Sequence, residues 1–365
     1  MKRIYFILVC ASIVFGTVSC SKDDPMPPTP TPEATVGAYI LNSGKFNSNN
    51  SSLMYFDVIK KVVAPNVFLA KNGKKLGDTG QDMVIYGSKM YITVYNSGII
   101  FVTDRQAKII KEIQLPDYKQ PRCVTSYGGK VYATYYDGAL AQIDTTTFSV
   151  KTVKVGANPE ELKVANGKVY VANSGGMGYP VGNTVSVVDA ISLSIIKEIK
   201  VADNPVSVEV DSRGDIYLIS NGNYGDVHPT FQIIDTKTDI ARSVELSVND
   251  EKGKKVVLPP IWMAMGANDK LFIVSGTNDE SWLLQGKVYT FNTATKKLEG
   301  EFIKDGTVVK NLYCISADAI SGDVYVGSSD YKNSGDMYIY GADGKFINKF
   351  ETGINPIGVF FLTNK

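Results

Sequence analysis

Six segments of this chain repeat one short phrase, and that repetition constrains the fold more than any other feature. NGKVYVAN (166–173) recurs as GSKMYITV (87–94), GGKVYATY (128–135), RGDIYLIS (213–220), NDKLFIVS (268–275) and SGDVYVGS (321–328). Each copy reads as a tight turn of Gly, Asn or Asp followed by a strand with an aromatic at a fixed place. Aligned on Tyr91, Tyr132, Tyr170, Tyr217, Phe272 and Tyr325, the copies are 41, 38, 47, 55 and 53 residues apart. A period of that length built only from strands and turns predicts an all-β propeller.

Most copies carry the same four-strand grammar, seen best in PEELKVA, NGKVYVAN, NTVSVVDA and LSIIKEIKV between Pro159 and Val201. The third run usually ends in an acid: Asp57, Asp104, Asp144, Asp189 and Asp235, with Asn292 in the sixth copy. Recurrence at every blade marks these as turn residues whose side chains bond nearby backbone N–H groups. Counting copies gives seven blades. The first, GAYILNS (37–43), lacks an opening strand, and NPIGVFFL (355–362) supplies one at the far end. The C-terminal strand is therefore expected to complete blade one and close the ring, removing the exposed sheet edges.

The N-terminus reads as a targeting segment, residues 1–19. Lys2 and Arg3 precede an apolar stretch too short for a bilayer span, and then comes TVSCSKDD. Cys20 sits as the acylated first residue of a bacterial lipoprotein would. The alternative is ordinary secretion with Cys20 left as a free thiol. Residues 20–36 hold the lipid-bearing Cys20 and a Pro/Thr-rich tether, and residues 37–365 are expected to form the propeller. The expected location is the outer membrane, lipid-anchored and facing the exterior.

Charge and chemistry narrow the function by exclusion. The chain has 38 basic and 37 acidic residues, without a basic stripe, which disfavours nucleic acid as a partner. Cys123 and Cys314 fall in the opening strands of blades three and seven, nearly opposite across the ring, and are expected to be buried, inert thiols. His228 is the single histidine, so a His-pair metal site is ruled out. There is no CxxC, no GxSxG and no phosphate-binding glycine loop. A non-enzymatic protein without cofactor or resident metal is the expectation.

The aromatics suggest where a ligand would sit. In a propeller, the loop between a blade's second and third strands shares a face with the segment entering the next blade. Here those loops are long and unequal, and they carry Phe46, Tyr179, Tyr224, His228, Trp282 and Tyr331. Entry segments add Arg122, Trp262 and Tyr313 to the same face, while the opposite face offers mostly turn residues. Aromatics with scattered amides and hydroxyls suit a large, flat, amphipathic ligand. Trp282 and Tyr224 are the best placed of the set, and Trp262 could equally be buried in its strand. His228 could ligate a metal-centred ligand, although a loop histidine bonding to backbone is the plainer reading.

The pattern P-x-x…GKVYVxN…VxVxD…KxI resembles the YncE-like, or YVTN-type, seven-bladed propellers, over residues 37–362. Together with the lipobox, the CSKDD signal and the opening GAYILNSGKFNSNNSSLMYFD, it is similar to Bacteroidetes surface lipoproteins of the BtuG type, which bind cobalamin. That resemblance implies non-catalytic capture of a corrinoid (vitamin B12) and its handover to a TonB-dependent outer-membrane transporter. It carries over no individual contact residue. A glycan- or protein-binding propeller module is the alternative.

Overall fold

The computed structural model describes residues 33–365. The leader (1–19), Cys20 and all but the last residues of the tether lie outside the described residues. Among the described residues no helix is long and apolar enough to cross a membrane.

Strand pairing resolves the chain into seven four-stranded antiparallel units: five separate sheets, and one eight-stranded sheet whose halves are joined by the single pairing Leu284–Leu312. Blade one is the composite unit. Its inner strand is Pro356–Thr363, hydrogen-bonded to Thr35–Asn42, and Ser52–Asp57 and Val62–Ala64 lie outside them. The propeller thus begins at Thr35, two residues earlier than the sequence reading, because Thr35 pairs with Thr363 across a bulge. The other inner strands are Gly80–Tyr86, Pro121–Tyr127, Pro159–Ala165, Pro205–Val210, Pro260–Met265 and Leu312–Ala317. Each touches the next in cyclic order, and Leu312–Ala317 touches Pro356–Thr363, so the ring is closed.

The repeat aromatic explains how blades adhere. The second strands are buried throughout, and alternate residues face alternate neighbours. In Lys89–Val94, Met90 and Ile92 pack with Leu41 and Leu53 of blade one, while Tyr91 packs with Val131 and Ala133 of blade three. Tyr132, Tyr170, Tyr217, Phe272 and Tyr325 each reach the next blade in the same way. Tyr39 of the composite blade does the same toward Met83 and Ile92, a seventh member that the repeat alignment lacked. Three of the buried hydroxyls find partners, Tyr132 donating to the Ala190 carbonyl at 2.5 Å, Tyr39 to the Arg105 carbonyl at 2.5 Å and Tyr217 to Asp211 at 2.9 Å, whereas those of Tyr91, Tyr135 and Tyr340 have none among the described residues.

The recurrent acids are turn residues, as expected. Asp57, Asp144, Asp189 and Asp235 each accept backbone N–H groups two and three residues ahead, and Asn292 accepts from the N–H of Thr295. Those bonds hold the four carboxyls below their ordinary pKa. The face that carries these turns is less bland than composition suggested. Ile59 and Ile191 stand exposed in two of them, and Tyr127 is exposed at the end of its inner strand, beside the turn into the second. One element has no sequence forerunner: the short helix Val67–Asn72, which seats Phe68 against Phe101 with ring centres 4.9 Å apart. A second is the hairpin Ser247–Asn249 with Lys255–Val257, inserted between blades five and six.

Candidate functional site

The mouth of the central channel is built by a repeated backbone device. Asn158, Asn204, Asn311 and Asn355 precede inner strands with φ between 47° and 61°, a left-handed conformation Asn tolerates better than most residues. Their carbonyls accept the N–H groups of Ser174, Asn221, Ser329 and Ser43, the residues that leave each second strand. Tyr95 and Tyr136 make the same bond to Thr79 and Gln120. Residues at this strand-exit position therefore line the rim. The long loops are then laced to the next blade's entry, as in Asn47 and Asn49 donating to Asp78, Asn183 to Asp203 and Gln285 to Asn311. The loop 174–183 is pinched at its base, where the Gly182 N–H meets the Ser174 carbonyl at 2.6 Å. A Cβ on Gly175 would lie 2.1 Å from the Gly182 nitrogen.

Inside this rim lies a cup that continues into the channel, the two together enclosing about 760 Å³. Its two sides differ in chemistry. Blades six, seven and one contribute Trp262, Met263, Tyr313, Ile357 and Phe360. Trp262 and Tyr313 have ring centres 6.4 Å apart, and Tyr331 packs edge-on against Tyr313 at 5.5 Å, extending the aromatic wall outward. Blades two to five contribute Gln81, Arg122, Tyr136, Glu160, Ser174, Asn204 and Asn221.

Arg122 organises the polar side. Its Nε donates to Glu160 at 2.6 Å and one terminal nitrogen donates to Gln81 at 3.4 Å. The guanidinium lies 5.5 Å and 4.9 Å from the ring centres of Tyr95 and Tyr136, which themselves meet edge-on. Burial works against the charge, but Glu160, joined by Cys123 and Tyr136, outweighs it and holds the guanidinium above its ordinary pKa.

Below this layer the channel carries charges that sequence reasoning did not single out. Asp82 accepts the Val124 N–H at 2.8 Å and Glu161 accepts the Val208 N–H at 2.8 Å, so each carboxylate ties its blade to the next. Lys163 pairs with Glu209 at 3.0 Å. Burial pushes Asp82 up to about 6 and Glu161 up to about 7, whereas Lys163 is kept protonated by Glu209 and Glu161 against its own burial. Two raised carboxyls give a signed expectation. The folded state holds protons that the unfolded chain releases near pH 4, so their contribution is full below that pH and is lost as pH rises through 6 to 7. The turn acids titrate lower and leave the window from pH 5 to 8 clear. Urea denaturation across this window should show stability falling with pH, by up to about 1.4 kcal/mol per pH unit for each group. Glu161→Gln keeps the acceptor for Val208 and should flatten the slope while raising stability at pH 8. An unchanged slope would sink this account.

Of the residues expected from sequence, Arg122, Tyr224, Trp262 and Tyr313 line the cup and Tyr331 backs it. Trp262 is half-buried on its strand with its ring at the cup, not lost in the core. Phe46, Tyr179, His228 and Trp282 do not line it. They stand on loops of the same face, with Phe46 62%, Tyr179 87% and Trp282 75% exposed. Trp282 stands at an exposed tip, carried there by a turn that Asp279 closes. Tyr95, Tyr136, Asp82, Glu160, Glu161, Lys163, Asn204, Glu209 and Asn221 were missed. Tyr95 and Tyr136 follow the repeat phrase directly, at the same place as Ser174 and Asn221, and that register was the available signal. Cys123 and Cys314 are free and buried in the channel wall, and burial pushes Cys314 up to about 12. Among the described residues no group of three or more His, Cys, Asp or Glu is arranged to hold a metal.

Solved structures match this architecture. The Quinonprotein alcohol dehydrogenase-like protein of Bacteroides thetaiotaomicron aligns at TM-score 0.65 and 17% identity, over 90% of this chain and 78% of that one. A hypothetical selenium-binding protein from Sulfolobus tokodaii aligns at 0.62 and 12%, over 91% and 94%. Virginiamycin B lyase from Staphylococcus aureus aligns at 0.52 and 15%, over 75% and 84%. At such identities the likeness is one of fold, which hosts enzymes and binding modules alike. No curated protein matches the chain in sequence. A family profile does match, over residues 36–233, and by it the chain belongs to the family described as Domain of unknown function (DUF5074).

Proposed function

We propose that this β-propeller is a non-catalytic capture protein whose cup takes a large amphipathic small molecule, and that the molecule is a corrinoid. The observation that carries the reading is the two-sided cup: an aromatic wall of Trp262 and Tyr313, backed by Tyr331, faces a wall of Arg122, Ser174, Asn204 and Asn221. Cup and channel together enclose about 760 Å³, within the range of small-molecule sites, roughly 300–1,000 Å³. Tyr224 on the lip offers further surface to a ligand broader than the cup. The channel acids support binding over catalysis, since Asp82 and Glu161 accept backbone N–H groups and Glu160 and Glu209 are ion-paired. Surface anchoring through Cys20 and handover to a TonB-dependent transporter complete the proposal. Both rest on the resemblance to YncE-like and BtuG-type lipoproteins.

Calorimetric titration of residues 25–365 with cyanocobalamin tests it. One-to-one saturable binding, weakened about tenfold or more by Trp262→Ala or Tyr224→Ala, is expected. Absence of heat at micromolar protein would remove the corrinoid reading. One observation favours a second reading: Trp282 and Tyr179 are exposed outside the cup, as platforms for a glycan or a protein would be. Binding to polysaccharide arrays that Trp282→Ala abolishes, with no cobalamin binding, would install it.

A further inference from the structure

Arg122 has five N–H donors, and the structure uses only two of them, on Glu160 and Gln81. Its second terminal nitrogen has no partner and is not sealed in the protein, because the guanidinium lies on the wall of the open cup. Unused donors facing a cavity ask for an oxygen acceptor from the ligand. The charges around them decide which kind. The residues lining cup and channel include four acids, Asp82, Glu160, Glu161 and Glu209, against two bases, Arg122 and Lys163. Glu160 already neutralises Arg122 at 2.6 Å, so an incoming carboxylate or phosphate would meet that carboxylate at close range. A neutral carbonyl would not.

We infer that the free edge of Arg122 is a subsite for a neutral carboxamide of the ligand and that the fixed Glu160 partner makes it refuse anions. This rests on the reading of the cup as a ligand site and names the group recognised there. The stacking of the guanidinium on Tyr95 and Tyr136 and the Glu160 bond fix the fork before the ligand arrives, which limits the entropy lost on binding.

Two measurements separate this subsite from the corrinoid reading. In the first, NMR of the isotope-labelled protein follows the Arg122 guanidinium signal, assigned by its loss in Arg122→Lys. Acetamide, or potassium acetate balanced against potassium chloride, is then added. Acetamide is expected to shift the signal saturably and acetate no more than chloride. Tighter binding of acetate, or no response to acetamide at the highest concentration the fold tolerates, would overturn the inference. In the second, cyanocobalamin is compared with its derivatives in which one side-chain carboxamide is hydrolysed to the acid. At least one monoacid should bind about tenfold or more weakly, and Arg122→Lys should weaken cyanocobalamin by a similar factor while leaving the thermal transition in place. Equal affinities throughout would overturn it. Failure of cyanocobalamin to bind at all would remove the corrinoid and leave the acetamide result to decide the subsite.

Discussion

Truncation after Ile354 is expected to abolish the cooperative unfolding transition, because the last strand is the inner wall of the first blade. Residues Pro356–Thr363 hydrogen-bond along Thr35–Asn42 and touch the inner strands on both sides. Removing them exposes the core neighbours of Val359, Phe361, Phe360 and Leu362 and leaves the edge of Thr35–Asn42 unpaired. Apolar side chains that are buried or half-buried contribute about 1–3 kcal/mol each, so the loss approaches the whole net stability of a domain, about 5–15 kcal/mol. Asn355 would go with them, and it accepts from Ser329 at 2.6 Å while donating to the Gly44 carbonyl at 2.8 Å. Circular dichroism during heating reads the effect. A synthetic peptide of residues 355–365 added in trans should restore part of the transition. A truncated chain that melts as the full one does would show that the closing strand is dispensable.

Arg122→Met is expected to destabilise the fold by about 2–4 kcal/mol, the second largest effect foreseen. Removing one partner of a mostly desolvated ion pair leaves the other charge without compensation. Glu160 would keep only Ser174, whose hydroxyl lies 3.4 Å away. The double variant Arg122→Met, Glu160→Gln should recover most of the loss, since a neutral amide beside an apolar side chain has no stranded charge. Urea denaturation of the four proteins gives the coupling directly. Additive losses would mean that the pair contributes little and that Arg122 acts only through the rings of Tyr95 and Tyr136.

Much of this architecture was legible in the amino-acid order. A turn, a buried strand with one aromatic, and an acid closing the third strand recur because each blade repeats the same local problem. Tyr91, Asp144 and Asn158 answer it with side chains whose preferences act over a few residues. The missing first strand and its C-terminal replacement were visible for the same reason. The outward loops could also be assigned to one face, since strand direction alternates.

The site was legible only in part. Loop length marked Phe46, Tyr179 and Trp282 as prominent, yet prominence is not convergence. The residues that meet in the cup come from short segments with little to distinguish them, such as Gln81, Glu160 and Asn204. What brings them together is the radius of the closed ring, which depends on how all seven inter-blade aromatics pack. Sequence alone determined the repeating unit and its turns, because those follow from local backbone preference and the two-residue alternation of strands. Only the tertiary structure decided that Arg122 pairs with Glu160 from the next blade, and that Lys163 pairs with Glu209 inside the channel. Those contacts join residues 38 or more positions apart along the chain, and burial between blades, not any short-range preference, sets their charge and their partners.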